Sequence, residues 1–253
     1  MTDTSAINPY AAPASELKKD VSHGQVPSIE EALSRGYDFS IGQVLSESWA
    51  RVKGTKGIII VGFIVFYVAL MIVTSILGAV FGLLGANEES LVMMFIGQVV
   101  ASLVGTALAY PFFAGVNMIG IRRAADQELS FNEIFSHFNK LTPILITSLV
   151  MSVLIQIGFL LLIVPGLYLS VAYMLAIPLV VERGLSPWQA LETSRKAISQ
   201  HWFKASGLCA LLGLLVIVGM LPLGIGLIWV IPLFVVALGV FYRIIFGVLP
   251  QQA

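Results

Sequence analysis

The chain has 253 residues, of which 58% are hydrophobic and only 11% are charged, and its formal net charge is zero. Soluble domains carry about a quarter charged residues, so this composition excludes an ordinary soluble protein. Because there is no excess of positive charge, we expect no nucleic-acid partner.

The first segment, residues 1–37, is polar and contains few large apolar side chains that could build a core. We interpret it as a disordered tail on the cytoplasmic side of a membrane. No apolar segment with a small-residue cleavage site lies near the start, so we expect no cleaved signal peptide. A short docking motif around Asn8-Pro9-Tyr10 is the alternative to a plain solubilising tail.

Residues 38–253 are predicted to form one membrane domain. Uncharged runs cover residues 57–86, 91–121, 141–181 and 205–242, and each exceeds the ~20 residues that cross ~30 Å of hydrocarbon. The third run is expected to turn at Pro165-Gly166 and the fourth at 221–224. The fold class is therefore an all-α membrane protein with six transmembrane helices, at about 57–86, 91–121, 142–164, 166–182, 205–221 and 226–249. Because the last two hairpins have short arms, re-entrant hairpins are the alternative.

Lysine and arginine are confined to one side of this arrangement. Six precede residue 57, three lie between 122 and 140, four lie between 183 and 204, and the last is Arg243. Short loops rich in these residues stay in the cytoplasm. We therefore predict a multi-pass protein of the bacterial inner membrane with both chain ends in the cytoplasm.

A helix-start pattern occurs three times, in which a serine precedes Gln or Glu by three residues: Ser40 with Gln43, Ser130 with Glu133, and Ser186 with Gln189. This spacing is typical of a capping box. The segments that follow are amphipathic and suit a membrane surface. We predict three cytoplasmic-face amphipathic helices and three helix-plus-hairpin repeats, with coincidental capping boxes as the alternative.

The predicted spans contain no charged residue at mid-membrane, where a proton or ion pathway would need one. The polar residues Gln98, Asn117 and Gln156 are expected to form hydrogen bonds between helices. Pro111, Pro178 and Pro232 are expected to bend or break their helices, and such breaks form substrate sites in transporters. The three histidines lack metal-ligand spacing, so we predict no metal, no cofactor and no catalytic residue.

Two sets of residues are candidate interaction sites. Small residues at helical spacing favour close helix packing, with a homo-oligomer seam as the alternative: Gly78, Gly82, Gly97, Ala101, Gly105 and Ala109. Cationic residues beside the spans are candidate contacts for anionic lipid head groups: Arg51, Lys53, Lys56, Arg122, Arg123, Arg195, Lys196, Lys204 and Arg243.

The Pro165-Gly166 pair and the helix start Glu182-Arg183-Gly184-Leu185-Ser186 carry a family resemblance. Over roughly residues 140–245 the chain resembles the YciC-type family of uncharacterised bacterial inner-membrane proteins. It is also similar to the membrane region of some glycerophosphodiester phosphodiesterases, but nothing corresponds to their catalytic domain. The resemblance implies a six-span inner-membrane protein and supplies no catalytic residue.

The sequence predicts a non-enzymatic envelope protein that organises lipids or partner proteins through its cytoplasmic surface. Its partners would be membrane lipids, other membrane proteins or further copies of the chain. One alternative is a transporter or channel for an apolar or zwitterionic solute that uses the proline bends. Another is the membrane subunit of an enzyme complex.

Overall fold

The computed structural model describes residues 26–84 and 90–251. Within these ranges the chain is helical and contains no β-strand, which confirms the all-α class. A 3₁₀ helix spans Phe131–Lys140. The α-helices are α1 (Ile29–Ser34), α2 (Ile41–Arg51), α3 (Thr55–Leu83), α4 (Leu91–Ala124), α5 (Leu141–Leu161), α6 (Ile163–Ala172), α7 (Ala176–Arg183), α8 (Pro187–Ser199), α9 (Trp202–Met220) and α10 (Leu227–Phe246).

Six helical stretches in the described ranges are long and apolar enough to cross a membrane, as predicted. They are Thr55–Leu83, Leu91–Ala124, Phe131–Leu161, Ile163–Arg183, Trp202–Met220 and Leu227–Phe246. Long runs of aliphatic residues without a charge form helices here because a helix satisfies every backbone hydrogen bond within itself. The chain is therefore built as a multi-pass membrane protein.

The predicted disordered tail is wrong for residues 26–37, whereas residues 1–25, with the Asn8-Pro9-Tyr10 motif, lie outside the described ranges. Helix α1 begins after Ser28, whose hydroxyl accepts a hydrogen bond from the Glu31 amide (3.1 Å). Ala32 is buried in the core, and Arg35 donates to the Ile245 carbonyl (3.1 Å). Docking against α10 orders this polar segment although it contributes few large side chains.

The predicted turn at Pro165-Gly166 is also wrong, because the chain turns at Leu162, which has an extended backbone. Pro165 lies in the first turn of α6, where a missing N–H removes no helical hydrogen bond. Gly166 lies in a close contact with α5, since a Cβ on Gly158 would stand 3.0 Å from the Gly166 Cα atom. The Pro-Gly pair therefore starts a helix and packs it closely.

The predicted span 166–182 lies within the helical stretch Ile163–Arg183, but this stretch is interrupted at residues 173–175 between α6 and α7. Pro178 lies just after this interruption and cannot donate to the carbonyl four residues before it, which agrees with the expected break. By contrast, α4 and α10 continue through Pro111 and Pro232.

Helices α4 and α10 pack with their backbones close together. A Cβ added to Gly239 would lie 2.1 Å from the Gly120 carbonyl oxygen, and one added to Gly120 would lie 2.1 Å from the Val235 carbonyl oxygen. Side chains at these positions would force the two backbones apart. Around this contact, α10 buries a continuous set of residues that includes Val236, Val240 and Phe241.

The three predicted helix starts behave differently. Helix α8 begins at Pro187, and the Ser186 amide donates to the Gln189 side chain (3.3 Å). The Ser130 hydroxyl accepts from the Asn132 amide (3.3 Å) at the start of the 3₁₀ helix. Ser40 makes no capping hydrogen bond before α2, so the capping prediction is wrong there. The threefold repeat stays a prediction.

Candidate functional site at the charged face

Charged side chains from distant parts of the chain meet at one end of the helix assembly. This end is formed by α1, α2, α8 and the carboxyl-terminal ends of α4, α7 and α10, and we call it the charged face. It contains Arg35, Glu47, Arg51, Asp126, Glu182, Arg183, Glu192, Arg195, Lys204 and Arg243.

The most buried carboxylate of the charged face is Glu182, whose side chain is 1% exposed. The Tyr242 hydroxyl donates to one of its oxygens (2.7 Å) and the Leu249 amide donates to the other (2.6 Å). The Arg183 Nε atom lies 2.7 Å from Glu182 but directs no well-aligned hydrogen bond at it. Glu182 thus joins α7 to α10 and to the segment after α10.

Arg183 holds the two ends of the described chain together. Its guanidinium donates to the Pro27 carbonyl (3.1 Å), before α1, and to the Phe246 carbonyl, at the end of α10. Charge-assisted hydrogen bonds of this kind are roughly twice as strong as neutral ones. The Glu182–Arg183 pair was not predicted, because its partners lie at least 60 residues away in the sequence.

A second cluster connects α2, α4 and α10. Arg243 donates to Glu47 (2.7 Å) and to the Ala124 carbonyl (2.5 Å). Arg51 donates to the same Glu47 carboxylate (2.7 Å) and pairs with Asp126. The hydrogen bond from Arg51 lowers the pKa of Asp126 below its ordinary value. Arg51 and Arg243, two predicted lipid contacts, are therefore engaged within the protein.

Helix α8 carries a third cluster. Arg195 donates to both oxygens of Glu192 (2.9 and 2.8 Å), and Lys196 lies 3.5 Å from the same carboxylate. The hydrogen bond from Arg195 is the main cause that lowers the pKa of Glu192. One carboxylate faces two cations here, so the cluster keeps a net positive charge.

Most of the other predicted lipid contacts also have partners within the chain. Arg122 donates to the Gln127 side chain (2.7 Å), Arg123 donates to the Arg51 carbonyl (2.7 Å), and Lys204 pairs with Asp38 (2.5 Å). Lys56 stands 5.5 Å from the centroid of the Trp229 ring. Lys53 is exposed and has no ion-pair partner among the described residues. The cations available to an external anion are therefore Lys53, Lys56 and Lys196.

The predicted packing residues divide into two groups. A Cβ on Gly97 would stand 3.1 Å from the Phe81 ring, and one on Gly105 would stand 3.9 Å from Leu70, so both face α3. Ala109 packs beside the cluster around Phe112, and Ala101 lines a groove between α3 and α4. Gly78 and Gly82 have no described atom within 4 Å of an added Cβ. Their surface is open to a second molecule or to lipid.

One side chain forms hydrogen bonds with the free backbone groups at the interruption between α6 and α7. Ser194 is buried, its hydroxyl accepts a hydrogen bond from the Leu175 amide (3.2 Å), and it donates to the Ala172 carbonyl (2.7 Å). The cavity beside Asn117 and Pro178 has a volume of only about 10 Å³, at the lower limit for one water molecule. This break therefore offers no space for a solute.

Among the described residues, no group of three or more His, Cys, Asp or Glu side chains is placed to hold a metal ion. Comparisons with models of known protein families, with curated proteins and with solved structures gave no match. The arrangement at the charged face is thus a set of internal ion pairs with a few cations left exposed.

Proposed function

We propose that this chain is a non-enzymatic protein of the bacterial inner membrane that organises anionic lipids at its charged face. The charged face would be the cytoplasmic side, with both chain ends on it. Two observations support this orientation: most of the described lysines and arginines lie in the segments of this face, and the turn at 221–226 contains none. The resemblance to the YciC-type family supports the same location.

Two lysines without an ion-pair partner among the described residues carry the lipid part of the proposal. Lys53 and Lys56 flank the start of α3, where this helix enters the membrane. A lysine near an anionic membrane surface contributes about 1 kcal/mol to binding. Apart from the exposed Lys196, the other described cations are engaged within the fold, so these two lysines beside the charged face are free for head groups.

The solute-transport alternative loses its structural basis. The expected solute site was a helix break at a proline. At the break before Pro178, however, the Ser194 side chain forms hydrogen bonds with the Leu175 amide and the Ala172 carbonyl. The helices that contain Pro111 and Pro232 stay continuous. The close contact of Gly120 with Gly239 also fills the space between α4 and α10. These features favour a protein that acts on lipids around it.

The test compares lysines with and without an internal partner. Lys53→Gln and Lys56→Gln should each lower the affinity for anionic lipid about fivefold, since about 1 kcal/mol is lost per charge. Lys204→Gln is the matched control, because it removes the same charge from an ion pair with Asp38. Native mass spectrometry of the purified protein with a phosphatidylglycerol titration measures the retained lipid. An equal effect of all three substitutions would contradict a local site.

A further inference from the structure

The hairpin formed by α5 and α6 turns at Leu162. Helix α5 has 21 residues and a length of about 31 Å, which is enough to cross a bilayer. Where the hairpin lies is decided by its contacts with the neighbouring helix α8.

Tyr168 lies six residues after the turn and is attached to the region where α8 ends and α9 begins. Its hydroxyl oxygen is 2.6 Å from the Ser199 hydroxyl oxygen. The indole N–H of Trp202 donates to the Tyr168 carbonyl (3.4 Å). Ser199 is the last residue of α8, and Trp202 is the first of α9. Tyr168 and the end of α8 therefore lie at the same depth.

Helix α8 itself cannot lie in hydrocarbon. Just before Ser199 it carries Glu192, Arg195 and Lys196, whose side chains are 33%, 37% and 56% exposed. Exposed charged groups in the bilayer core cost several kcal/mol each. The exposed side of α8 therefore faces water or lipid head groups, and its contacts hold Tyr168 at that level.

The turn extends only a short distance beyond this level. Six residues of helix separate Leu162 from Tyr168, which corresponds to about 9 Å. Half of the hydrocarbon thickness is ~15 Å. Even if α6 stands upright, its turn ends inside the leaflet next to the charged face.

The surface of this hairpin matches such a position. Residues 160–164 are five consecutive apolar residues, each between 68% and 87% exposed. The exposed apolar residues Ile146, Leu149, Val153 and Ile157 follow at helical spacing along α5. On α5, residues 150, 151, 154 and 155 pack against a buried cluster formed by Tyr173, Ala176 and Leu191, the last of which belongs to α8. One side of the hairpin thus meets a charged helix and the other is apolar from end to end.

We infer that the α5–α6 hairpin inserts into the leaflet adjoining the charged face and returns without crossing the membrane. Its partner is the acyl-chain layer of that leaflet, because the exposed stripe continues the apolar surface of the membrane helices and contains no polar residue in its turn. The inference goes beyond the proposed function, which concerns head-group contacts of lysines beside α3. It holds whichever side of the membrane the charged face occupies.

Single-cysteine labelling distinguishes this arrangement from a full crossing. In a Cys209→Ala background, Leu162→Cys places a thiol at the turn and Ser90→Cys places one at the far end of the α3–α4 hairpin. A membrane-impermeant maleimide is applied to either side of sealed vesicles that contain the protein in one orientation. We expect Ser90→Cys to be labelled from the side opposite the charged face and Leu162→Cys to be labelled from neither side.

A nitroxide on the same cysteine measures depth directly. At Leu162→Cys we expect strong relaxation by oxygen, which concentrates in lipid, and weak relaxation by a water-soluble nickel complex. Labelling from the same side as Ser90→Cys would overturn the inference, since the hairpin would then cross. Weak relaxation by both agents would also overturn it, because a protein partner would then cover the turn. Val164→Cys, 73% exposed, repeats the measurement at a second position where substitution disturbs no packing.

Discussion

Glu182 and Arg183 are the side chains on which the charged face depends most. Glu182 is fully enclosed and accepts from Tyr242 and Leu249, while Arg183 holds Pro27 and Phe246. Glu182→Gln leaves Arg183 buried without a counter-charge. Loss of one partner of a buried ion pair costs about 3–5 kcal/mol, so we expect that loss in the free energy of unfolding, measured by denaturant titration in detergent.

Glu192→Gln is the matched control, since it makes the same chemical change in an ion pair that is one third exposed. Exposed pairs contribute roughly 0.2–1 kcal/mol, so this variant should unfold close to the wild type. If both variants lost the same stability, burial of Glu182 would not be the source of its effect.

The contact between α4 and α10 is sensitive to the size of the side chains at its glycines. Gly239→Ala would place a methyl group 2.1 Å from the Gly120 carbonyl oxygen, and overpacking of this kind costs about 1–3 kcal/mol or more. Gly78→Ala adds the same methyl group where no described atom lies within 4 Å. Alanine favours a helix by up to about 1 kcal/mol over glycine. We therefore expect Gly239→Ala to lower the midpoint of thermal unfolding and Gly78→Ala to raise it.

The same pair of variants tests the predicted homo-oligomer seam. If Gly78 faces lipid, Gly78→Ala should leave the mass of the protein in detergent unchanged, as measured by light scattering. A fall to a smaller species would assign Gly78 to contact with a second copy. Destabilisation by Gly78→Ala at constant mass would contradict its open surroundings.

The sequence predicted the helical elements well because their signal is local. Charge-free runs longer than a membrane crossing identify the six long helices without any knowledge of tertiary contacts. The turns were harder, since Pro165 favours a turn and the first turn of a helix equally. The position of the turn at Leu162 depends on the contact of Gly158 with Gly166, and no local sequence pattern indicates this contact.

The candidate site was predicted only in part for the same reason. Sequence position located the cations of the charged face, but not their partners. Arg243 pairs with Glu47 across 196 residues, and Lys204 pairs with Asp38 across 166. Among the described lysines and arginines, Arg51 with Glu47, and Arg195 and Lys196 with Glu192, have a helical spacing that indicates an ion pair. Whether a cation is free to contact lipid therefore depends on tertiary contacts that the local sequence does not show.

The whole chain carries no net charge, and most cations of the charged face are engaged with carboxylate or carbonyl groups of the chain. Asp38, Asp126 and Glu192 accept from Lys204, Arg51 and Arg195, and these hydrogen bonds lower the pKa of each carboxyl group. Protonation breaks these three pairs and removes three negative charges, although Arg51 keeps its hydrogen bond to Glu47. Acid should therefore act on this face as a unit.

The direction of the pH effect follows from these shifts. A carboxylate whose pKa is lowered in the folded protein adds stability above its unfolded pKa of about 4, and this stability disappears as the pH falls through the folded value. We expect the thermal midpoint in detergent to be constant from pH 7 to about 5 and to fall below about 4. Because the carboxylates are exposed, added salt should weaken the effect. The triple variant Asp38→Asn, Asp126→Asn and Glu192→Gln should have a lower thermal midpoint at pH 7, and this midpoint should fall less in acid. If the acid transition of the variant matched that of the wild type, groups other than these three carboxylates would cause it.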